Sequence, residues 1–529
     1  MKKTWLFSML SVTLILAARE NALSQIQTAK VTGGEVQGVV ATGVASFKGI
    51  PFAAPPIGDL RWKAPQPLKP WTGTKKADAF APACMQDPVL ANMMHAPTNF
   101  SEDCLYLNVW TGAKGKGEKL PVMVWIYGGG FAVGATSAPL YDGTKFAEKG
   151  VVLVSVAYRV GAFGFLAHPD LTRESGKGSG NYGLQDMIAG LRWVKDNIAQ
   201  FGGDPSRVTI FGESAGGIAV SMLAASPAAK GLFHRVISES GGSFAPVKLA
   251  NEGGQNVPGL QLAESAGKGF LEGLGANDIK SARALSAQQI QKPLDATSFG
   301  RFWPVADGYV LPGDQYEMYQ ARSFNDTPVL IGTNSDEGAL FVRNAVTRDA
   351  FEKQIRAGFG ARADTILNAY PHATDKEALR STKDIFRETA FAWHTWVWAR
   401  LQSQNGKGKA YVYYFDHRSP ATPDGANHGS EISFVFGNSA GMLGPAPQPG
   451  DGKLSDLMST YWINFAKLGD PNGAGLPSWP AFSETDQKVM FFDDASSARP
   501  VPNIEKLKAL DAYYAWRRQQ AKEKTRTPN

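Results

Sequence analysis

Cysteine is nearly absent. Cys84 and Cys104 are the only two in 529 residues, and neither sits in a C-x-x-C pair or beside a histidine, which leaves a reactive dithiol without sequence support. Beyond the N-terminus, no stretch approaches the roughly 20 apolar residues of a membrane-spanning helix. No low-complexity tract, internal repeat or Pro/Ser linker divides the chain. Charge is also sparse and mixed: 19% of residues are charged, with a formal net charge of +6. That is mild for this length, and no nucleic-acid-binding motif accompanies it. The basic run Arg517-Arg518, Lys522, Lys524, Arg526 ends a helical pattern, where cations suit the helix dipole, and reads as solvated surface. The glycine run Gly128-Gly129-Gly130-Phe131 fits neither G-x-x-x-x-G-K-[ST] nor G-x-G-x-x-G with a downstream acid, which disfavours a phosphate-cradling loop there.

What is present begins with a leader. Lys2 and Lys3 precede an apolar stretch from Trp5 to Ala18, and Ala22-Leu23-Ser24 forms a small-x-small site. This is the layout of a secretory signal peptide over residues 1–24, cut before Gln25. The competing reading is an N-terminal anchor, which Arg19 and Glu20 disfavour. Cleavage removes a net +2 (Lys2, Lys3, Arg19 and Glu20) and leaves +4. Residues 25–529 then read as one exported domain, periplasmic or extracellular. In an oxidising compartment Cys84 and Cys104 are expected to bridge, and closing that loop is worth roughly 3 kcal/mol in the chain-entropy view.

Strand-like apolar runs alternate with helical patterns, which predicts an α/β protein with a central, mostly parallel sheet flanked by helices. The clear strands are Val122–Tyr127, Val151–Ala157, Val208–Phe211, Arg235–Ser238, Val329–Gly332 and Tyr411–Phe415. They are continuous hydrophobic runs, as strands covered on both faces require. The strongest helix is Tyr182 to Gln200, with Leu184, Met187, Ile188, Leu191, Val194 and Ile198 on one face. Two helix-rich stretches, Gly242 to about Gln315 and about Leu340 to Ala410, read as insertions packed over the carboxyl edge of the sheet, shaping a substrate gorge.

The most informative motif is Gly212-Glu213-Ser214-Ala215-Gly216, a G-x-S-x-G between a strand-like run and an apolar, small-residue helix. That context puts Ser214 on a sharp strand-to-helix turn with its hydroxyl exposed at the sheet edge. A serine nucleophile needs a base, an orienting acid and an oxyanion hole, and in this turn architecture the acid and then the base follow the serine. Among the later histidines, His428 lies in a loop of small and turn-forming residues past a strand end, and His417 is its competitor. The strand Pro328–Gly332 runs into Asp336 and Glu337, and the residues alone leave both open as the acid. For the oxyanion hole, Val122–Tyr127 leads into Gly128-Gly129-Gly130-Phe131, whose missing Cβ atoms let backbone N–H groups approach an oxygen. Such chemistry needs no metal and no cofactor.

With these pieces together, the chain resembles the type-B carboxylesterases, the cholinesterase-like branch of the α/β-hydrolases, from about Gly34 to Ala515. The resemblance rests on Phe47–Ala53, Ser101–Trp110, Gly128–Phe131, Phe201–Pro205, Gly212–Gly216, Asn334–Gly338 and His428–Ile432. It implies the α/β-hydrolase fold and hydrolysis of small-molecule carboxylic esters, with Ser214, Glu337 and His428 as the triad. It also implies Gly129, Gly130 and Ala215 as oxyanion donors, Ser240 as support for the acid, and an early Cys84–Cys104 disulfide. Phe299, Phe302 and Trp303 fall in the acyl-pocket region, and Leu340 and Phe341 follow the acid toward the gorge. In cholinesterases the early disulfide loop carries a tryptophan that stacks on quaternary ammonium; here that loop has none, and Met93 and Met94 sit near its place. Uncharged aryl or medium-chain esters are therefore the expected substrates. Amide or peptide hydrolysis by the same triad, or a non-catalytic binding module, are the alternatives. The oligomeric state is not legible.

Overall fold

The computed structural model describes residues 25–93, 99–249, 252, 256–295, 298–438 and 448–526. The leader, Met94, Pro445 and Pro447 lie outside the described residues. Eleven strands make the main sheet. They are β1 (Val39–Ala41), β2 (Val44–Pro51), β3 (Tyr106–Thr111), β4 (Leu120–Ile126), β5 (Val152–Val156) and β6 (Gly203–Glu213), followed by β7 (Arg235–Glu239), β8 (Val329–Asn334), β9 (Ala410–Phe415), β10 (Lys488–Phe492) and β11 (Ser497–Pro500). Their spatial order is β11-β10-β9-β8-β7-β6-β4-β5-β3-β2-β1. From β10 to β5 neighbouring strands run parallel; the pairings at both edges are antiparallel. All six strands expected from the sequence are in this sheet. The antiparallel edge strands were not foreseen, because edge residues alternate or lie exposed, as in Val39–Ala41, and lack a continuous apolar run.

Helices cover both faces, and those that position the site are α1 (Tyr182–Asn197), α2 (Ala215–Ala225), α3 (Asp375–Arg387), α4 (Trp393–Asn405), α5 (Asp451–Leu468) and α6 (Ile504–Arg526). The helix expected to reach Gln200 tightens at Ile198 into a 3₁₀ turn and ends at Gly202, whose φ of 78° is left-handed. The strand then resumes at Gly203, earlier than the sequence suggests, with a register shift before Val208. Every residue of α2 is buried. It is apolar all round because it lies between the sheet and the 315–325 segment, where Gln315 and Asn325 bond its carbonyls. One apolar cluster runs from Ile26 to Tyr514. Among the described residues no helix is long and apolar enough to cross a membrane.

Cys84 and Cys104 form the expected disulfide. Arg517 and Arg518, the start of the basic C-terminal run, depart from the expected solvated state, whereas Lys522 keeps it. Arg518 is 8% exposed; it pairs with Asp314 at 3.0 Å, donates to the Phe244 carbonyl and lies 4.0 Å over the Tyr316 ring. Arg517 pairs with Glu252 and Lys522 with Glu317 at 3.1 Å. Periodicity could not reveal this, because all three partners come from the 242–320 insertion. These contacts tie α6 to that insertion. Arg518→Ala leaves Asp314 buried without its guanidinium, and we expect a loss of about 3 kcal/mol, read as a lower urea midpoint; an unchanged midpoint contradicts the clamp.

Candidate active site

β6 delivers Ser214 to the carboxyl edge of the sheet, and α2 begins one residue later. Ser214 adopts φ 55°, ψ −124°, a strained conformation for a residue with a side chain. The turn is held by backbone: Ser214 N–H donates to Glu239 O at 2.9 Å, and Ile218 N–H donates back to Ser214 O at 2.8 Å. It also demands close approach. A Cβ added at Gly216 would lie 2.0 Å from the Ile126 carbonyl oxygen, so only glycine lets α2 cross the end of β4.

Opposite stands the Gly128–Phe131 turn. A Cβ at Gly128 would come within 3.0 Å of Ser214 Cβ, which places this turn directly against the serine. Gly129, Gly130 and Phe131 all have positive φ (107°, 62° and 57°). The turn closes through Ala132 and Val133 N–H to Gly129 O, both at 3.1 Å, and is pinned by Gly161 N–H to Phe131 O at 2.7 Å. Among the described residues the N–H groups of Gly129, Gly130 and Ala215 make no internal hydrogen bond. Among the described residues, Phe131, Ser214 and Ser240 account for three of the eight non-glycine residues with positive φ, a concentration of backbone strain at this point.

β8 ends at Asn334 and the chain turns so that Glu337 folds back beneath it. Glu337 is fully buried. Its Oε1 accepts from Ser240 Oγ at 2.6 Å and Asn334 N–H at 2.7 Å, and its Oε2 lies 2.6 Å from His428 Nδ1. The two loops are laced together: Ala426 N–H donates to Ser335 Oγ at 2.8 Å, and Asp336 N–H to Ala426 O at 2.9 Å. Of the two acids the residues left open, Glu337 is the one that meets His428. Asp336 faces away, to Arg380 at 2.9 Å, while His417 pairs with Asp451 at 3.0 Å. Behind the loop, buried Arg387 donates to the Ser335 carbonyl at 2.6 Å and pairs with Glu388.

His428 Nε2 lies 3.2 Å from Glu213 Oε1, the carboxylate immediately before Ser214, and no hydrogen bond joins it to Ser214 Oγ among the described residues. Glu213 was not singled out from the sequence, nor were Glu239 and Glu431, all buried here. Glu239 accepts from Trp462 Nε1 at 2.7 Å, and Glu431 accepts from Asn334 Nδ2. The signal was visible, since Glu213 and Glu431 are inside motifs, but nothing in a linear sequence shows that four carboxyl groups converge. Burial pushes Glu213 up to about 7, against the pull of His428, and Glu239 up to about 8. Glu431 is driven well above the usual carboxylate range, by burial and by its glutamate neighbours. Burial would lower His428, but Glu213 and Glu337 outweigh it and raise the imidazole to about 9.

Aromatic rings frame the imidazole. Phe391, from a π-helical turn at Glu388–Ala392, stacks on His428 at 4.7 Å and 16°. Phe341 approaches it at 5.3 Å and itself stacks on Phe386 at 4.5 Å. Phe299 lies over the Gly128–Phe131 turn, its ring where a Gly130 Cβ would be. Trp303 packs edge-on against Phe131 at 4.9 Å and Phe302 against Phe270 at 5.0 Å; both are mostly buried, and both line a cavity of about 200 Å³ with Phe165 and Arg301, while Phe302 shares a smaller cavity with Phe299 beside Ala132 and Gly161. The Leu340 carbonyl accepts from Arg343 Nε at 3.0 Å. Phe391 and Phe386 were missed because an aromatic in a helical run looks like any core residue.

A mostly parallel sheet with a strained serine at a strand–helix turn, and an acid and histidine supplied by later loops, defines an α/β-hydrolase. The sequence profile of the carboxylesterase family matches residues 20–510. The chain is 36% identical over 517 residues to fumonisin B1 esterase of Sphingopyxis macrogoltabida, covering 93% of this chain and 91% of that one. It is 35% identical over 499 residues to para-nitrobenzyl esterase of Bacillus subtilis (strain 168), covering 90% and 97%. A solved thermophilic PNB esterase superposes with a TM-score of 0.81 at 33% identity, over 92% of this chain and 100% of that one. The chain belongs to the carboxylesterase family and is a carboxylic ester hydrolase.

Gly216→Ala tests the packing that builds the turn. With a methyl 2.0 Å from a backbone oxygen, β4 and α2 must separate, and we expect destabilisation of about 3 kcal/mol or more, measured by chemical unfolding. Stability within about 0.5 kcal/mol of the parent is incompatible with the described approach.

Proposed function

We propose that the protein hydrolyses uncharged carboxylic esters through an acyl-enzyme on Ser214. His428 takes the hydroxyl proton as Ser214 attacks the ester carbonyl. The oxyanion accepts from the N–H groups of Gly129, Gly130 and Ala215. Glu337 holds Nδ1 and balances the imidazolium. Collapse expels the alcohol, which receives its proton from His428; water then repeats the sequence and releases the acid. Each oxyanion donor in such a site contributes about 3 kcal/mol to the barrier reduction. The observation that carries this reading is the Glu337–His428 hydrogen bond, buried beside a serine held at a strained turn. The imidazole must turn its Nε2 from Glu213 to Ser214 for the first step, a small adjustment of the kind that substrate binding brings about.

Rings at Phe299, Phe341 and Phe391 support aryl or medium acyl groups, and the para-nitrobenzyl esterase relationship points the same way. The N-terminal pattern and the Cys84–Cys104 bond support export, with residues 25–529 acting as one domain.

Ser214→Ala should lower turnover of a p-nitrophenyl ester by at least about 10⁴-fold with the fold intact by circular dichroism; near-parental rates sink the assignment. A second test follows from charge. The base works only as neutral imidazole, so kcat/KM falls as pH drops through the His428 pKa, and the carboxylates place that fall above the ordinary 6.5. Glu213→Gln removes one of them, so the acidic limb should move to lower pH by about one unit. A limb that stays put, or moves up, contradicts the pairing.

A further inference from the structure

A cavity of about 430 Å³ opens on the outward side of α1, between the 62–66 segment, the 171–178 segment and Tyr309-Val310. None of Ser214, Glu337, His428 or the oxyanion residues lines it. Three cations do: Lys63, Lys177 and Arg192. The one carboxylate in its wall, Glu174, is already matched by Lys63 at 3.0 Å and Arg283 at 2.9 Å. Among the described residues, Lys177 and Arg192 pair with no carboxylate, and Lys177 Nζ stands 4.2 Å over the Tyr309 ring. The cavity therefore carries uncompensated positive charge.

Its inner wall holds polar atoms without a partner. Tyr182 lines the cavity, is 3% exposed, and its hydroxyl has no hydrogen-bond partner; Gln185 beside it leaves its Oε1 acceptor unpartnered as well. Behind this wall, Arg159 lies 5.5 Å from the Tyr182 ring, is 2% exposed, and keeps Nη1 unpartnered although Asp186 and the Lys63 carbonyl take its other N–H groups. Buried polar groups of this kind normally find a partner, and leaving them without one is destabilising. Burial holds the Tyr182 phenol well above its ordinary range, so it remains a donor at neutral pH. The remaining wall is apolar or aromatic, through Trp62, Leu171, Ile188 and Tyr309.

We propose that this cavity is a second binding site, separate from the serine, for a small organic anion with an aromatic body: an aryl carboxylate or sulfonate whose charged end meets Lys177, Arg192 and the Tyr182 hydroxyl while its ring packs on Tyr309 and Trp62. The volume suits one such molecule. Charge-assisted hydrogen bonds supply orientation, and the rings supply contact area.

The probe is 8-anilinonaphthalene-1-sulfonate, followed by fluorescence on the full protein after its turnover has been abolished with an organophosphate, so that the gorge is occupied. We expect saturable one-to-one binding to persist. The paired substitution Lys177→Glu/Arg192→Glu, both on exposed side chains, should weaken it by about tenfold or more and leave p-nitrophenyl ester turnover unchanged. Tyr182→Phe should weaken it severalfold, and the uncharged analogue N-phenyl-1-naphthylamine should bind at least about tenfold more weakly than the sulfonate. An aryl carboxylate such as 4-nitrobenzoate should compete. Binding that vanishes when the gorge is blocked, or that is indifferent to the charge reversal and to the probe's charge, overturns the proposal. Failure of the organophosphate to stop turnover counts against Ser214 as nucleophile, and the charge-reversal comparison still decides the second site.

Discussion

Everything at the site is referred to one buried carboxylate. Glu337 is closed to water, yet each of its oxygens is occupied: Ser240 and Asn334 hold one and His428 takes the other. Those partners come from the end of β7, the end of β8 and the loop after β9. A carboxyl group closed to water is costly unless its oxygens find hydrogen-bond donors, so its demand for them fixes three segments against each other. The imidazole is thereby set at the carboxyl edge of the sheet, where β6 presents Ser214.

A second constraint is steric. The serine turn is strained, and so are Phe131 and Ser240 beside it. Strain of this kind persists only where surrounding structure over-determines it. Here the surroundings are backbone: the Ile126 carbonyl against Gly216 and the Glu239 carbonyl bonded to the Ser214 amide. The same crowding that rules out side chains leaves the amides of Gly129, Gly130 and Ala215 without internal partners. Unsatisfied donors facing a serine are what a developing oxyanion needs, so the cost of the fold at this point and the proposed catalytic use coincide.

Electrostatics then refine the geometry. Glu213 and Glu337 flank one imidazole at 3.2 and 2.6 Å and, with Glu431 further off, raise it against the effect of burial, while Glu239 is held by Trp462 and feels the charge of Glu213. The arginine network behind Glu337, with Arg387 on the Ser335 carbonyl and Arg380 on Asp336, keeps positive charge just outside this cluster. The second cavity, lined by none of these carboxylates, carries an excess of cations instead.

The sequence by itself determined the parallel centre of the sheet, the serine turn and the glycine turn, because buried strands must be continuously apolar and a strained turn must be glycine-flanked. It determined the disulfide once export was read from the leader, since two cysteines admit a single pairing. It did not determine whether Asp336 or Glu337 meets the histidine, for adjacent residues differ only in the direction their side chains take when the loop closes. Nor did it show that Arg518 is buried, that Phe391 stacks on His428, or that Glu213 competes with Ser214 for the imidazole. Each of these depends on segments tens to hundreds of residues apart meeting in space, and local pattern carries no information about such meetings.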